Sequence, residues 1–168
     1  MVAYLFSAPN GVAGDVTRAD ETNVEPAMLI AHSGTFAQAF GIPMKYVAGG
    51  IQQFSGGETA PDFAGVLVRE VPSISGNTNA GFTDNIPNPP QVQGFAVRGY
   101  VSVLCKFGTP ARGGVVYVQV TANAGAVPGD FRADGTDSGN AVALTAAQAE
   151  WASDGKDSDN NAELRIAR

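Results

Sequence analysis

Chemistry needs particular side chains at particular spacings, and this chain offers few. His32 is its only histidine. With the adjacent Ser33 and one of many carboxylates it could complete a Ser-His-Asp triad, in which the imidazole takes the hydroxyl proton. No nucleophile elbow surrounds Ser33, and a solitary histidine is more often a surface or packed residue than a general base. A hydrolase built on His32 stands as a competing reading. It requires a pocket joining His32 and Ser33 to an acid. Cys105 is the only cysteine, which rules out an intrachain disulfide and a thiolate zinc site. It follows Leu104 at the end of a predicted strand, and a packed, inert thiol is expected.

Gly76 and Gly81 have the glycine spacing of a P-loop. Phe82-Thr83 stands where Lys followed by Ser or Thr must reach the phosphates, so that reading is rejected. Asp154, Asp157 and Asp159 share one polar stretch, and Asp130, Asp134 and Asp137 another. Calcium favours clustered carboxylates, but neither run has the EF-hand order with its central Gly and closing Glu. Solvated turns are expected. No catalytic, cofactor-binding or metal residue is assigned, and no cofactor is expected.

The formal net charge of -6 argues against a dedicated nucleic-acid binder, because phosphate binding needs a cationic surface. Most of the excess is N-terminal: residues 1–84 carry three basic and eight acidic side chains, residues 85–168 seven and eight. No apolar run approaches the length of a membrane span, and no basic segment followed by an apolar core marks a signal peptide. A soluble protein made in a cytoplasm is expected.

Strands must position whatever acts. Tyr100 to Leu104 and Val115 to Val120 are rich in β-branched and aromatic residues, which suit a pleated, half-buried surface. Lys106 to Gly114 joins them through Pro110 and three glycines, too short for a helical crossover. An antiparallel, long-looped hairpin is expected, covered on both faces. Alternation places Val116, Val118 and Val120 on one face and Val101 and Val103 likewise on one face of theirs. Ile42 to Val47, ended by Gly49-Gly50, and Phe63 to Val71 also read as strands. Gly14 to Pro26 reads as a polar surface loop, and Met28 to Phe40 is ambiguous between strand and helical turn. Ser73 to Gln93 and Asn123 to Asn140 read as long loops. Ala141 onward reads as a loop feeding a strand near Trp151, then a polar turn over Gly155 to Asn161, then a closing strand Ala162 to Ile166. Trp151 is expected to be buried against Leu164 and Ile166.

The expected fold is all-β: a single-domain antiparallel barrel or jelly-roll-like sandwich with long loops. Residues 1–13 read as an N-terminal arm or edge strand, and 14–168 as the domain. The apolar run Val2, Tyr4, Leu5 and Phe6 precedes the turn signal Pro9-Asn10-Gly11. Such a terminus pairs within its own domain or with another chain.

Several blocks, in order, resemble the capsid cement, or decoration, proteins of tailed bacteriophages. They are GDVTRADETNVEPAMLI (14–30), FGIPMKYV (40–47), GVLVREVP (65–72), AVRGYVSV (96–103), GGVVYVQVTA (113–122) and NAELRI (161–166). The resemblance implies a non-enzymatic virion protein with a β-barrel or jelly-roll-like body. It implies binding to the outer surface of the mature icosahedral head, bridging of major capsid protein subunits, and stabilisation against internal DNA pressure. It further implies a small homo-oligomer, dimer or trimer, on the lattice, with no direct contact to nucleic acid or membrane. The expected capsid or oligomer contacts are Val2, Tyr4, Leu5 and Phe6 of the arm, and Arg98 beside Gly99, whose guanidinium can reach carboxylates of a facing loop. The remaining alternative is a carbohydrate-binding or adhesive surface module, which would need exposed aromatic side chains lining a groove.

Overall fold

The computed structural model describes residues 11–35, 37, 39–69 and 92–167. The arm residues Val2, Tyr4, Leu5 and Phe6, and almost all of the Ser73 to Gln93 loop, lie outside them. Among the described residues ten strands form one sheet that does not close, and no α-helix occurs. The fold is all-β and sandwich-like, not a closed barrel.

Strand β5, Val92–Phe107, is sixteen residues long and touches most of the other strands. Its first half pairs antiparallel with β1 (Asn23–Met28) on one edge and β4 (Gly65–Leu67) on the other. Beyond β4 lie β2 (Pro43–Val47) and β3 (Gly50–Gln53), joined by a tight turn in which Gly49 has φ +88°. A single parallel bridge, Leu29 to Ile51, leads the chain after β1 back towards β3. The second half of β5 pairs with β10 (Asn161–Ile166), whose outer edge carries β9 (Ala149–Trp151). At its end β5 runs parallel to β7 (Phe131–Arg132). Next come β6 (Tyr117–Gln119) and β8 (Ala141–Ala143).

An extra residue in β5 explains how one strand serves two cores. Opposite Asn23 and Val24 the register skips, so that Arg98 pairs with Asn23 and Ala96 with Val24. Such a bulge reverses which face each later side chain takes. Before it, Phe95 faces a small core with Leu29, Met44, Ile51 and Leu67. After it, Val101, Val103 and Cys105 face a larger core with Phe63, Phe131, Trp151, Leu164 and Ile166. Gly99, next to the bulge, lets Glu21 and Thr22 lie against β5. Its φ is +109°, and a Cβ there would stand 2.4 Å from the Thr22 Cα.

Several expectations change. Tyr100 to Leu104 and Val115 to Val120 are not hairpin partners, because β7 lies between β5 and β6. Their connection bends away to β9, where Gly113 donates to the Trp151 carbonyl and Trp151 donates to that of Gly114. Leu104, expected under cover, is exposed. The Gly14 to Pro26 segment is ordered along β5: Gly14 donates to the Ser102 carbonyl, Thr17 to that of Tyr100, and Asn23 onward is strand. The Asn123 to Asn140 loop contains β7, and β5 begins already at Val92. Ala141–Ala143, expected as loop, is strand β8 against β6, while from Trp151 onward the closing region matches its expectation. Trp151 and Leu164 are paired, and Trp151, Leu164 and Ile166 are all buried.

Candidate functional site

The residues considered for catalysis are not assembled among the described residues. His32 is exposed at the tip of a tight turn, where its backbone exchanges two 2.8 Å hydrogen bonds with Thr35. Ser33 and Gly34 between them have φ 48° and 81°, the pattern of a two-residue hairpin turn. Neither side chain meets an acid among the described residues. Cys105 is fully buried, its thiol donates to the Phe107 carbonyl, and burial pushes its pKa up. The thiol is neutral and packed.

The aspartates are held by local partners. Asp154 accepts the Arg112 backbone N–H, and Asp157 accepts those of Asp159 and Asn161, fixing a turn. Asp130 pairs with Lys106 at 2.9 Å. Asp134 and Asp137 both pair with Arg132. Among the described residues no group of three or more His, Cys, Asp and Glu is placed to hold a metal ion.

The Arg132 cluster was not expected from the sequence. Its guanidinium is buried on β7, donates to the Gln119 side chain at 2.7 Å and lies 5.0 Å from the Phe107 ring centre. Asp137 accepts hydrogen bonds from Asn140, Gln119, Asn123 and Arg132, and these hold its pKa down to about 2. The cluster therefore pins the loop before β8 to β6 and β7. It works as a structural anchor, since its charges are mutually satisfied.

Two further ion pairs fix the sheet's flanks. Arg18 forks onto Glu163 at 3.2 and 2.9 Å and lies 3.9 Å over the Tyr100 ring. Thr17 donates to the same carboxylate at 2.6 Å. The segment before β1 is thereby tied to β10. Lys45 on β2 donates to Glu58 at 2.6 Å, and Glu58 also accepts the N–H groups of Ser55 and Gly56. Burial pushes the Glu58 pKa up, but Lys45 and the two N–H groups outweigh it and hold the carboxyl at about 2.

Among the described residues, one uncommitted region lies around β1. Arg98 sits midway along β5, at the bulge and not at the strand's start. Its side chain is exposed and makes no hydrogen bond or ion pair among the described residues. It lines an open, polar groove of about 510 Å³ with Asp20, Glu21, Asn23, Tyr100 and Arg165. Arg165 is held at one wall by Glu150 at 2.6 Å. Beside the groove, β1 is attached mainly by one edge, and nearly all its side chains are exposed. Val24, Pro26 and Met28 alternate onto one face, and Val92 lies directly across from Met28. Val24, Met28 and Val92 are 40, 41 and 53% exposed, so this is an apolar face left to solvent. An exposed Met and Val on adjacent strands are unremarkable singly; here they lie on one apolar face.

Among the described residues the sheet thus pairs its buried charges internally and leaves a polar groove and an apolar ribbon exposed. Residues 3–167 match the phage family described as structural cement protein (E217 gp24/Pam3 gp6), and the chain belongs to that family. The family is one of phage structural proteins and not of enzymes. Among solved structures, a chain from "The capsid of Myoviridae Phage XM1" has the same fold, with a TM-score of 0.67. The match covers 99% of this chain and 96% of that one at 19% identity, a likeness of fold. No curated protein matches.

Proposed function

We propose that the protein is a capsid cement protein that binds the outer surface of the mature icosahedral head. It bridges major capsid protein subunits and stabilises the shell against internal DNA pressure. The observation that carries this reading is membership of the structural cement family over residues 3–167. The physical mechanism is multivalent bridging. A subunit that touches two capsid subunits makes their separation cost its own contacts, and a homo-oligomer multiplies the effect. A molecule that binds only the assembled shell stabilises it by mass action. The contacts on this chain are the N-terminal arm, through Val2, Tyr4, Leu5 and Phe6, and the Arg98 groove. Each contact can bury less than the roughly 1,600 Å² of a standard interface and still matter when repeated over a lattice.

Cryo-EM reconstruction of heads incubated with the purified protein tests the assignment. Added density over joints between major capsid protein subunits is the expected result. Density only inside the shell or at the tail, or none at all, would refute it.

A further inference from the structure

The loop from Arg18 to Thr22 carries one wall of the Arg98 groove, and a carboxylate outside the groove holds the base of that loop. We infer that Glu163 is a positioning residue for capsid binding: through Arg18 it sets where Asp20 and Glu21 stand relative to Arg98. The inference rests on the groove being a capsid contact, as proposed above, and names what keeps the groove in shape.

The first argument is the backbone. The chain before β1 follows β5 as far as Thr17, whose N–H donates to the Tyr100 carbonyl at 3.1 Å, and pairing resumes at Asn23 opposite Arg98. Between those points residues 18–22 make no backbone hydrogen bond to β5. Their bonds are local: Glu21 donates to the Arg18 carbonyl and Thr22 to that of Ala19. This single short turn, Ala19–Glu21, buries no side chain and has no side-chain cap at its start. A turn of that kind is not fixed by its own packing, so side chains must hold the wall.

The second argument is how they do so. The Thr22 hydroxyl donates to the Arg18 carbonyl at 2.7 Å and accepts the Tyr100 N–H at 2.9 Å. Arg18 then reaches across the Tyr100 ring to both oxygens of Glu163, which also takes the Thr17 hydroxyl. A guanidinium forked onto one carboxylate and laid on a ring face has a fixed direction as well as a fixed place. Its carbonyl starts the turn, so Asp20 and Glu21 follow from where it stands.

The third argument is the shared strand. Glu163 does not line the groove, but Arg165, the next residue on the same face of β10, does. One strand therefore supplies part of one wall through Arg165 and anchors the other through Glu163. That fixes the spacing between the walls. The groups so spaced are open to a partner: the side chains of Asp20, Glu21 and Arg98 are exposed and make no hydrogen bond or ion pair among the described residues.

Head co-sedimentation and amide exchange of the full-length protein test this. Glu163→Gln removes the charge and keeps the shape, and Arg18→Met removes the other end of the clamp. Each should weaken binding to expanded heads about tenfold, the order of one hydrogen bond to a charged group. In an Arg98→Ala background Glu163→Gln should cost little more, because both act on one groove. In the isolated protein the Tyr100 amide, which donates to Thr22, should exchange faster in both variants. The Cys105 amide, which donates to the Asn160 carbonyl, should keep its wild-type rate. The inference is overturned if both variants bind heads like the wild type, or if the Glu163→Gln loss adds in full to that of Arg98→Ala. It is also overturned if Tyr100 exchange is unchanged or rises only in step with Cys105. Those results leave the cement reading standing as long as the wild type binds heads. If the wild type binds no heads, the cement reading fails, and the exchange pattern by itself decides whether Glu163 holds the wall.

Discussion

Trp151 lies directly opposite Leu164 in the β9–β10 pair, and its indole N–H donates to the Val115 carbonyl at 3.1 Å. That one residue joins three segments: its own strand, the closing strand, and the connection that leads into β6. Val115 in turn bridges to Glu150. The ring is 1% exposed and sits in the larger core. Trp151→Ala should therefore cost about 3–5 kcal/mol, as for other large buried aromatics. Trp151→Phe keeps most of the packing and leaves the Val115 carbonyl unpaired, a loss nearer 1–3 kcal/mol. Urea unfolding followed by circular dichroism measures both. Wild-type fluorescence should be blue-shifted and poorly quenched, and a red-shifted, freely quenched emission would contradict the burial.

Gly99→Ala should destabilise the protein by more than about 2 kcal/mol, since it imposes both a strained φ and a collision. The nearest atoms are the Thr22 Cα and Oγ1, both at 2.4 Å, and the Glu21 carbonyl oxygen at 2.6 Å, and backbone moves little. Gly139→Ala is the control. Its Cβ would meet nothing within 4 Å and its φ is not positive, so its midpoint should stay close to that of the wild type.

Replacing Arg132 by Leu should cost about 3 kcal/mol, because Asp134, Asp137 and Gln119 lose a shared buried donor. The loss should appear locally. Hydrogen exchange should quicken over residues 121–140 and in β8, while β2 and β3 remain protected.

Acid should weaken the fold through Glu58. Its ordinary pKa of 4.5 falls to about 2 in the folded protein. A depressed carboxyl pKa means that the unfolded chain binds the proton more readily. The Glu58 contribution is thus complete above pH 4.5 and is lost as pH falls from about 4.5 to about 2. Asp137 acts in the same direction, from an ordinary 3.8 to about 2. Glu58→Gln should lower the melting temperature at pH 7 and flatten its fall between pH 4.5 and 2 without abolishing it. An unchanged acid slope in that variant would contradict this role.

The sequence was legible where local pattern and global packing agree. In Ala162 to Ile166 the residues alternate, Leu164 and Ile166 are buried, and the sole Trp falls on the neighbouring strand. Lys45 to Val47 and the Gly49-Gly50 turn are similarly local features. The central pairing was not legible because its middle strand has only two residues. Phe131-Arg132 inside a Gly- and Asp-rich stretch carries no period-2 signal, so two good strands looked like neighbours. β1 looks like loop in the sequence because an exposed strand with Glu, Pro and Asn lacks the apolar alternation that marks a buried face. Arg132 carries no signal in the sequence, because burial of an Arg depends on acids and a Gln brought together from 119 to 137. The β5 bulge leaves a trace, the glycine at 99, but a glycine within a strand signals an irregularity without saying which partner it accommodates. Arg98 stands out in the sequence beside Gly99, and the structure places it on the open groove with no partner among the described residues.

For Arg98, stability and binding should separate. Arg98→Ala should leave the unfolding free energy within about 0.5 kcal/mol of wild type, as for an exposed surface change. It should weaken head binding, and Arg98→Lys, which keeps the charge but loses the planar fork, should restore it only in part. Unchanged head binding in both variants would remove Arg98 from the contact surface.

The direct test of the cement function is the disruption temperature of expanded heads that lack this protein, measured with and without its addition. Purified protein should co-sediment with the heads to saturation and raise that temperature, and the increase should disappear when residues 1–9 are deleted while the deleted protein remains folded. Saturable binding that leaves the disruption temperature unchanged, or no binding to expanded heads, would contradict the account.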